Sequence, residues 1–358
     1  MSEILDDQEE IKKLDKSNVA ESIAKFPDQI EQAWNEASKV KFPDSYKEIK
    51  NLVIVGMGGS ALGPELLSYL YKDKLEIPLL VVHDYNLPNF VDENSLVILS
   101  SYSGTTEEVL NAAEQTIVKK CKVAGITEGR ELGKFLDKNS LPYYKIKADS
   151  NPSEQPRLGL GYSVAGILGM FNSLGLIEVD DKEKEEVIAS TKNVNSQFIP
   201  SKSISNNFTK ELATKLKGSS VGVIAAEFLS TNAHIFANQL NETSKTFSSY
   251  YLLSELNHHL LEGFNKPEDL RENLKIVILL SDQYSDKLKK RVKITTDVIE
   301  KQKVETFIVK FEEGSRLNQV LEAILVSSWT TFYLGILNGF DPSGVPWVDY
   351  FKEQLAKG

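Results

Sequence analysis

Uninterrupted runs of β-branched and aliphatic residues, each of strand length and separated by helix-patterned segments, constrain this chain more than any other feature. In the first half they fall at residues 52–55, 79–82, 96–99, 122–124 and 143–146. A strand with one face in water alternates apolar and polar residues, whereas most of these runs are continuously apolar, the pattern of strands covered on both faces. Residues 61–71 and 107–120 between them carry helical spacing of Leu, Val and Ala, and residues 28–39 form a charged helical lead-in. The second half repeats the plan with strand runs at 220–224, 247–253, 275–280 and 304–309 and an amphipathic, lysine-rich helix at 285–302, whose cationic face is read as solvated surface. Such alternation predicts βαβ units and mostly parallel sheets. Both halves open with a strand, a turn and a long helix, at 51–70 and 219–240, so the expected fold is α/β with two flavodoxin-like, doubly wound domains. The polar segment 181–205, with Pro200 and several Asn and Ser, predicts the boundary: domain one at 1–190, including the lead-in, and domain two at 191–358 with a C-terminal helical tail.

Composition narrows the function classes. At 358 residues the chain exceeds one ordinary domain, and its net charge of −10 with no basic stripe argues against nucleic acid or an anionic membrane as partner. Any site for an anion must then be built locally, from backbone N–H groups, hydroxyls and a few placed cations. The single cysteine, Cys121, and the spacing of His83, His234, His258 and His259 match no common metal pattern, so no metal is expected. The amino terminus is acidic where a signal peptide is basic and apolar. The uncharged runs 158–177 and 323–340 are broken by glycine, serine, threonine or asparagine and are expected to be buried or interface helices. The expectation is a soluble, cytoplasmic protein.

The strand run 96–99 leads directly into Ser-Ser-Tyr-Ser-Gly-Thr-Thr-Glu at 100–107. In doubly wound sheets ligands sit at the carboxyl ends of strands, where a helix begins. A helix N-terminus leaves N–H groups without intrahelical partners and carries partial positive charge, which suits a phosphate. Ser101, Ser103, Thr105 and Thr106 add hydroxyls, and Gly104 lets the backbone come close. A plain N-cap would need one hydroxyl, not four. A second glycine turn, Gly-Met-Gly-Gly-Ser at 56–60, follows the first strand. Gly56, Gly58 and Ala61, with Asp84 ending the next strand, also fit a variant dinucleotide fingerprint, so an NAD-dependent enzyme stays open on this turn alone.

These two turns together resemble the sugar isomerase (SIS) domain, and the chain resembles the bifunctional phosphoglucose/phosphomannose isomerases. Further matching segments are Glu-Gln-Pro-Arg-Leu at 154–158, Asn-Glu-Thr-Ser-Lys at 241–245, Glu-Leu-Asn-His-His at 255–259, Asn-Gly-Phe-Asp-Pro-Ser at 338–343 and Phe351-Lys352. The resemblance runs from about Phe26 to the C-terminus. It implies two SIS domains, a homodimer, no cofactor, and conversion of glucose 6-phosphate and mannose 6-phosphate to fructose 6-phosphate. Carried over residue by residue, it implies phosphate ligands at Ser60, Ser101, Ser103 and Thr106 with the Gly59 backbone. Arg157 would be the cation near the reacting carbons, Glu242 the base, His258 the ring-opening residue, and Lys352 an active-site lysine. The chain departs from the family pattern at Thr105, where Asn is usual, at Val109, where Thr is common, and at His259, where Asn is usual, which leaves open which imidazole acts.

The implied set makes chemical sense. Aldose–ketose isomerisation needs a carboxylate to carry one proton between C2 and C1 and a fixed cation to steady the enediolate. Ring opening needs a group that titrates near neutrality. Each residue has a plainer alternative: Glu242 and Lys245 as a surface i,i+3 pair, Arg157 as a loop arginine, Lys352 as a solvated lysine. Two other functions stay open as well, a strict single-substrate isomerase and a non-catalytic SIS protein that senses a phosphosugar. The sensor would need the hydroxyl turns but neither Glu242 nor a histidine.

Overall fold

The computed structural model describes residues 2–355 and 357. It divides into two compact units: the first is Ala24–Asn193, and the second joins Met1–Ile23 to Val194–Gly358. In the first unit the apolar runs become five parallel strands, β1 (Asn51–Val55), β2 (Leu79–Val82), β3 (Ser95–Ser100), β4 (Lys122–Thr127) and β5 (Tyr143–Lys145). Every residue of β3 is buried. The reason is two-sided cover. On one face Val53, Val55, Val97 and Leu99 pack with Val109, Ala112 and Ala113 of helix Glu107–Lys119 and with Leu132 and Leu136 of helix Arg130–Lys138. On the other lies helix Leu160–Leu174, where a Cβ on Gly166 would come within 2.6 Å of Ile126 and 2.8 Å of Tyr144. Each fully buried Leu, Ile or Val stabilises the unit by about 1.5–3 kcal/mol. Helix Phe26–Ala37 packs on Leu160–Leu174 through Phe26, Ile30, Ala33, Trp34 and Ala37, a spacing that puts all five on one helical face.

The strand order is β2-β1-β3-β4-β5, the flavodoxin-like winding, which reverses direction between β1 and β3 and so opens a crevice at their carboxyl ends. In the second unit β6 (Ser220–Ala225), β7 (Ser248–Leu252), β8 (Leu274–Ser281) and β9 (Glu305–Phe311) are parallel and ordered β7-β6-β8-β9. That repeats the order of the first four strands of the first sheet. The expected α/β class with parallel, doubly wound sheets is what the chain adopts.

Three details refine the sequence expectation. The division between units, after Asn193, falls within the polar segment 181–205 as expected, but inside a helix, Asp181–Phe198. Residues 1–23, expected with domain one, belong to the second unit. Lys210 is fully buried there, its ammonium donating to the carbonyls of Pro200 and Lys202 and to Asp6 Oδ1 at 3.1 Å. Burial pulls the Lys210 pKa down and Asp6 opposes that pull. A buried charge without a partner is costly, so the amino-terminal segment supplying Asp6 is held in place. Third, of the two readings left open for the apolar run at 323–337, buried core or partner-facing surface, it is core. Helix Arg316–Leu337 is long and apolar enough to cross a bilayer, but 94% of its apolar window is buried inside the protein, with Trp329 stacked on Tyr333 and Phe332 edge-on to both.

One group on that helix couples the fold to pH. Burial lifts the Glu322 carboxyl from 4.5 to about 7, with Glu313 adding to the rise. The folded chain then holds this proton more tightly than the unfolded one, so the associated stability is complete below 4.5 and is lost as pH rises through about 7. Glu322→Gln should remove that dependence and raise the melting temperature above neutral pH by about 2 °C. Parallel melting curves of the two proteins at acid and alkaline pH check this, and identical pH profiles would rule it out.

Candidate active site

The two turns singled out in the sequence meet at the β1/β3 reversal. β1 runs into Gly56, where a Cβ would sit 3.1 Å from the Ser100 carbonyl, so only glycine lets the chain ends come this close. Gly58, at φ +50°, turns the chain into helix Gly59–Leu70. Two bonds then lock the turns together: Ser100 Oγ donates to the Ser60 carbonyl at 2.7 Å, and the Tyr102 N–H donates to Ser60 Oγ at 2.9 Å. Within the second turn Ser101 Oγ and Thr106 Oγ1 are 2.8 Å apart, and the Gly104 N–H donates to Ser101 Oγ at 3.1 Å. Ser103 Oγ lies 3.1 Å from Thr105 Oγ1.

The plain N-cap alternative fails on geometry. Thr106 is the N-cap of helix Glu107–Lys119, yet its side chain makes no capping bond, and Gly58 makes none at the other helix. Helix Glu107–Lys119 therefore leaves its first-turn N–H groups without a side-chain cap, whereas in helix Gly59–Leu70 the Ser60 and Ala61 N–H groups already donate to the Met57 and Gly58 carbonyls. Because a hydroxyl has one donor and two acceptor sites, the Ser101, Ser103 and Thr106 hydroxyls can each bind further. An uncapped helix end beside several hydroxyls has the chemistry to attract an anion, even in a chain of net charge −10.

Arg157 lies beside this site. It sits in the 3₁₀ turn Pro156–Leu158, and a Cβ on Gly59 would lie 3.4 Å from Arg157 Cα, so the first turn and the arginine loop touch backbone to backbone. Fully buried Gln29 fastens the loop, donating to the Ser150 and Leu158 carbonyls and accepting from the Gly161 N–H. Gly59, Ser60, Ser101, Ser103, Thr106 and Arg157 thus share the first unit.

Glu242, His258 and Lys352 belong to the second unit, each on its own element. Glu242 is the last residue of helix Ser230–Glu242 and is half-buried. The neighbouring Lys245 is more than a surface partner: its ammonium donates to the carbonyls of Glu242, at 2.8 Å, and Asp341, at 3.2 Å, closing the helix end. Asn241 pairs with the backbone of Ser248, and Asn338 donates to the Ser244 carbonyl, so the 241–245 and 338–343 segments brace one another. His258 and His259 are both exposed after helix Leu253–Leu256, and Asn257 anchors their turn to Thr295 and Arg291. Lys352 is exposed on helix Pro346–Leu355.

The second unit's own strand reversal, between β6 and β8, lacks the chemistry of the first. Ser281 is fully buried and donates to Gln319, which in turn donates to Asp282, while Glu227 stands at the end of β6. Carboxylates there disfavour an anion, unlike the hydroxyls at the first unit's reversal. Several supporting residues, among them Gln29, Tyr102, Asn151 and Gln155, had not been singled out. A glutamine on a helix or a tyrosine among serines carries no signal until its partners are known.

Comparison with known proteins sets this arrangement in a class. Residues 205–355 match the bacterial phospho-glucose isomerase C-terminal SIS domain. The fold superimposes on a hypothetical protein from Thermus thermophilus with a TM-score of 0.73, at 17% identity over 98% of this chain and 94% of that one. It also matches the C-terminal domain of a glucosamine-fructose-6-phosphate aminotransferase from Francisella tularensis, TM-score 0.70, at 13% identity over 90% and 96%. The architecture is that of SIS-domain proteins. More narrowly, a bifunctional phosphoglucose/phosphomannose isomerase from Caldicellulosiruptor bescii is 32% identical over 94% of this chain and 98% of its own length, and one from Aquifex aeolicus 29% identical over 90% and 94%. The chain belongs to this family of isomerases, and the dinucleotide reading of Gly56, Gly58 and Ala61 gives way to it.

The second turn depends on Gly104, which has φ +72° and where a Cβ would fall 2.0 Å from the Gly129 carbonyl oxygen. Gly104→Ala should therefore deform the turn and weaken binding of inorganic phosphate about tenfold or more. Calorimetric titration against wild type measures this, and unchanged affinity would remove the turn from the site.

Proposed function

We propose that this protein interconverts glucose 6-phosphate and mannose 6-phosphate with fructose 6-phosphate through an enediolate. The observation that carries the reading is the uncapped end of helix Glu107–Lys119 with the hydroxyls at the β1/β3 reversal, which suits the 6-phosphate of a sugar. Dual substrate use is supported by the relatives, which bear the bifunctional name. Held at its phosphate, the sugar is confined where the reaction occurs, and binding energy from the non-reacting end lowers the barrier at C1 and C2.

In this reading the Glu242 carboxylate removes the C2 proton of the open-chain aldose. The electron pair moves into the C1–C2 bond as charge builds on O1; a proton then passes from O2 to O1, and as the C2 carbonyl forms the Glu242 carboxyl returns its proton to C1. Arg157, permanently charged, offsets the enediolate oxygens. His258 moves the proton that opens the ring, and Lys352 adds positive charge at the site. The protein acts as a homodimer in the cytoplasm. Its core helix Arg316–Leu337 supplies no dimer surface, whereas Trp347, 82% exposed, and Phe351, 63% exposed, offer apolar area for one.

Purified protein treated with chelator should convert fructose 6-phosphate to both aldoses in coupled assays. Formation of one aldose only would reduce the proposal to a strict isomerase, and of neither would overturn it. Glu242→Gln should lower kcat by about 10²–10⁴-fold with KM nearly unchanged. Loss of substrate binding along with turnover would assign Glu242 a structural role instead.

A further inference from the structure

Tyr102 stands between two phosphate-turn serines, yet its side chain points inward and is 7% exposed. Its backbone N–H holds Ser60 in the first turn. Its ring fills the space over Gly159, where a Cβ would come within 2.5 Å of Tyr102 Cε2, so the ring bears on the chain two residues past Arg157. Its phenol oxygen accepts a hydrogen bond from Asn151 Nδ2 at 3.1 Å, with Glu128 beside the same hydroxyl. Burial keeps this phenol neutral, its pKa well above the ordinary value.

Asn151, 2% exposed, is a junction. The same Nδ2 donates to the Gln155 carbonyl at 3.0 Å, and Asn151 Oδ1 accepts from Ser153 Oγ at 2.8 Å. Ser153 Oγ in turn accepts the Gln155 N–H at 3.3 Å. The side chain of Gln155 then accepts from Arg157 Nη1 at 3.0 Å. An unbroken chain of bonds therefore runs from Ser60, through the backbone and hydroxyl of Tyr102, through Asn151 and Gln155, to the guanidinium. Every member lies in the first unit. A phenylalanine would pack the ring equally well, so packing alone does not explain the hydroxyl.

We infer that Tyr102 is a positioning residue, whose hydroxyl, acting through Asn151 and Gln155, sets the Arg157 guanidinium relative to the phosphate turn. The inference rests on the proposed role of Arg157 at the enediolate. It separates two functions that the turn combines: Ser101, Ser103 and Thr106 hold the phosphate, while Tyr102 transmits the position of that phosphate to the reacting end. Loss of the hydroxyl should therefore spare phosphate binding and slow the chemical step.

The test is steady-state kinetics with fructose 6-phosphate, alongside inhibition by inorganic phosphate. Tyr102→Phe should lower kcat about tenfold, with KM and the phosphate inhibition constant within about twofold of wild type. Gln155→Ala, which removes the acceptor without touching the turn, should act in the same direction, and Gln155→Glu, which keeps an acceptor oxygen, should restore most of the rate. Because the two residues serve one chain, the double variant Tyr102→Phe/Gln155→Ala should be no slower than the slower single one. Unchanged kcat in both single variants would overturn the inference. So would losses that multiply in the double variant, or a phosphate constant that worsens in step with kcat, the mark of a collapsed turn. If Tyr102→Phe does not fold, the Gln155 pair decides alone. An inactive wild type would instead overturn the proposed function, and that result comes first.

Discussion

Two hydrogen bonds across the β1/β3 reversal, from Ser100 Oγ to the Ser60 carbonyl and from the Tyr102 N–H to Ser60 Oγ, make one surface of two separate turns. Each is worth only about 1 kcal/mol net. They hold their geometry because the strands behind them are buried on both faces and paired in register, Val55 beside both Val82 and Leu99. The helix ends, the hydroxyls and the contact between Gly59 and Arg157 all take their positions from this junction. It also reconciles an acidic protein with an anionic ligand. The attracting charge is carried by backbone amides at the helix end, whose field is local, while acidic side chains such as the exposed Glu107 are screened by salt.

The two units show how far a winding order can be separated from chemistry. Both sheets reverse at the same topological point, yet one presents glycines and hydroxyls there and the other Glu227, Asp282 and a buried serine already engaged by Gln319. The second unit contributes differently. Its 241–245 and 338–343 segments are braced by Lys245 and Asn338, which fixes the helix end that carries Glu242. Fold sets where a site can be, and turn composition sets what it does.

Much of this was legible without coordinates. The strands were readable because a strand covered on both faces needs continuous apolar residues, and the phosphate turn because four hydroxyls in six positions exceed the needs of a cap. The helix at 181–198 was not, since its polar composition resembles a linker and its buried residues, such as Asn195 bonded to Trp329, pair with distant partners. Nor was the placement of residues 1–23, where Leu5, Ile11 and Val19 are buried and Asp6 meets the Lys210 ammonium more than two hundred positions away.

By itself, then, the sequence determined the α/β class, the parallel winding and the family, because each is written in local periodicity or in contiguous motifs. Only the tertiary structure decided that Thr106 leaves its helix uncapped, that Tyr102 faces inward to Asn151, and that Gly59 lies against Arg157. The last two arise from contacts between segments about 50 to 100 positions apart, roughly a loop closure each, and no local pattern encodes which side chains such closures bring together.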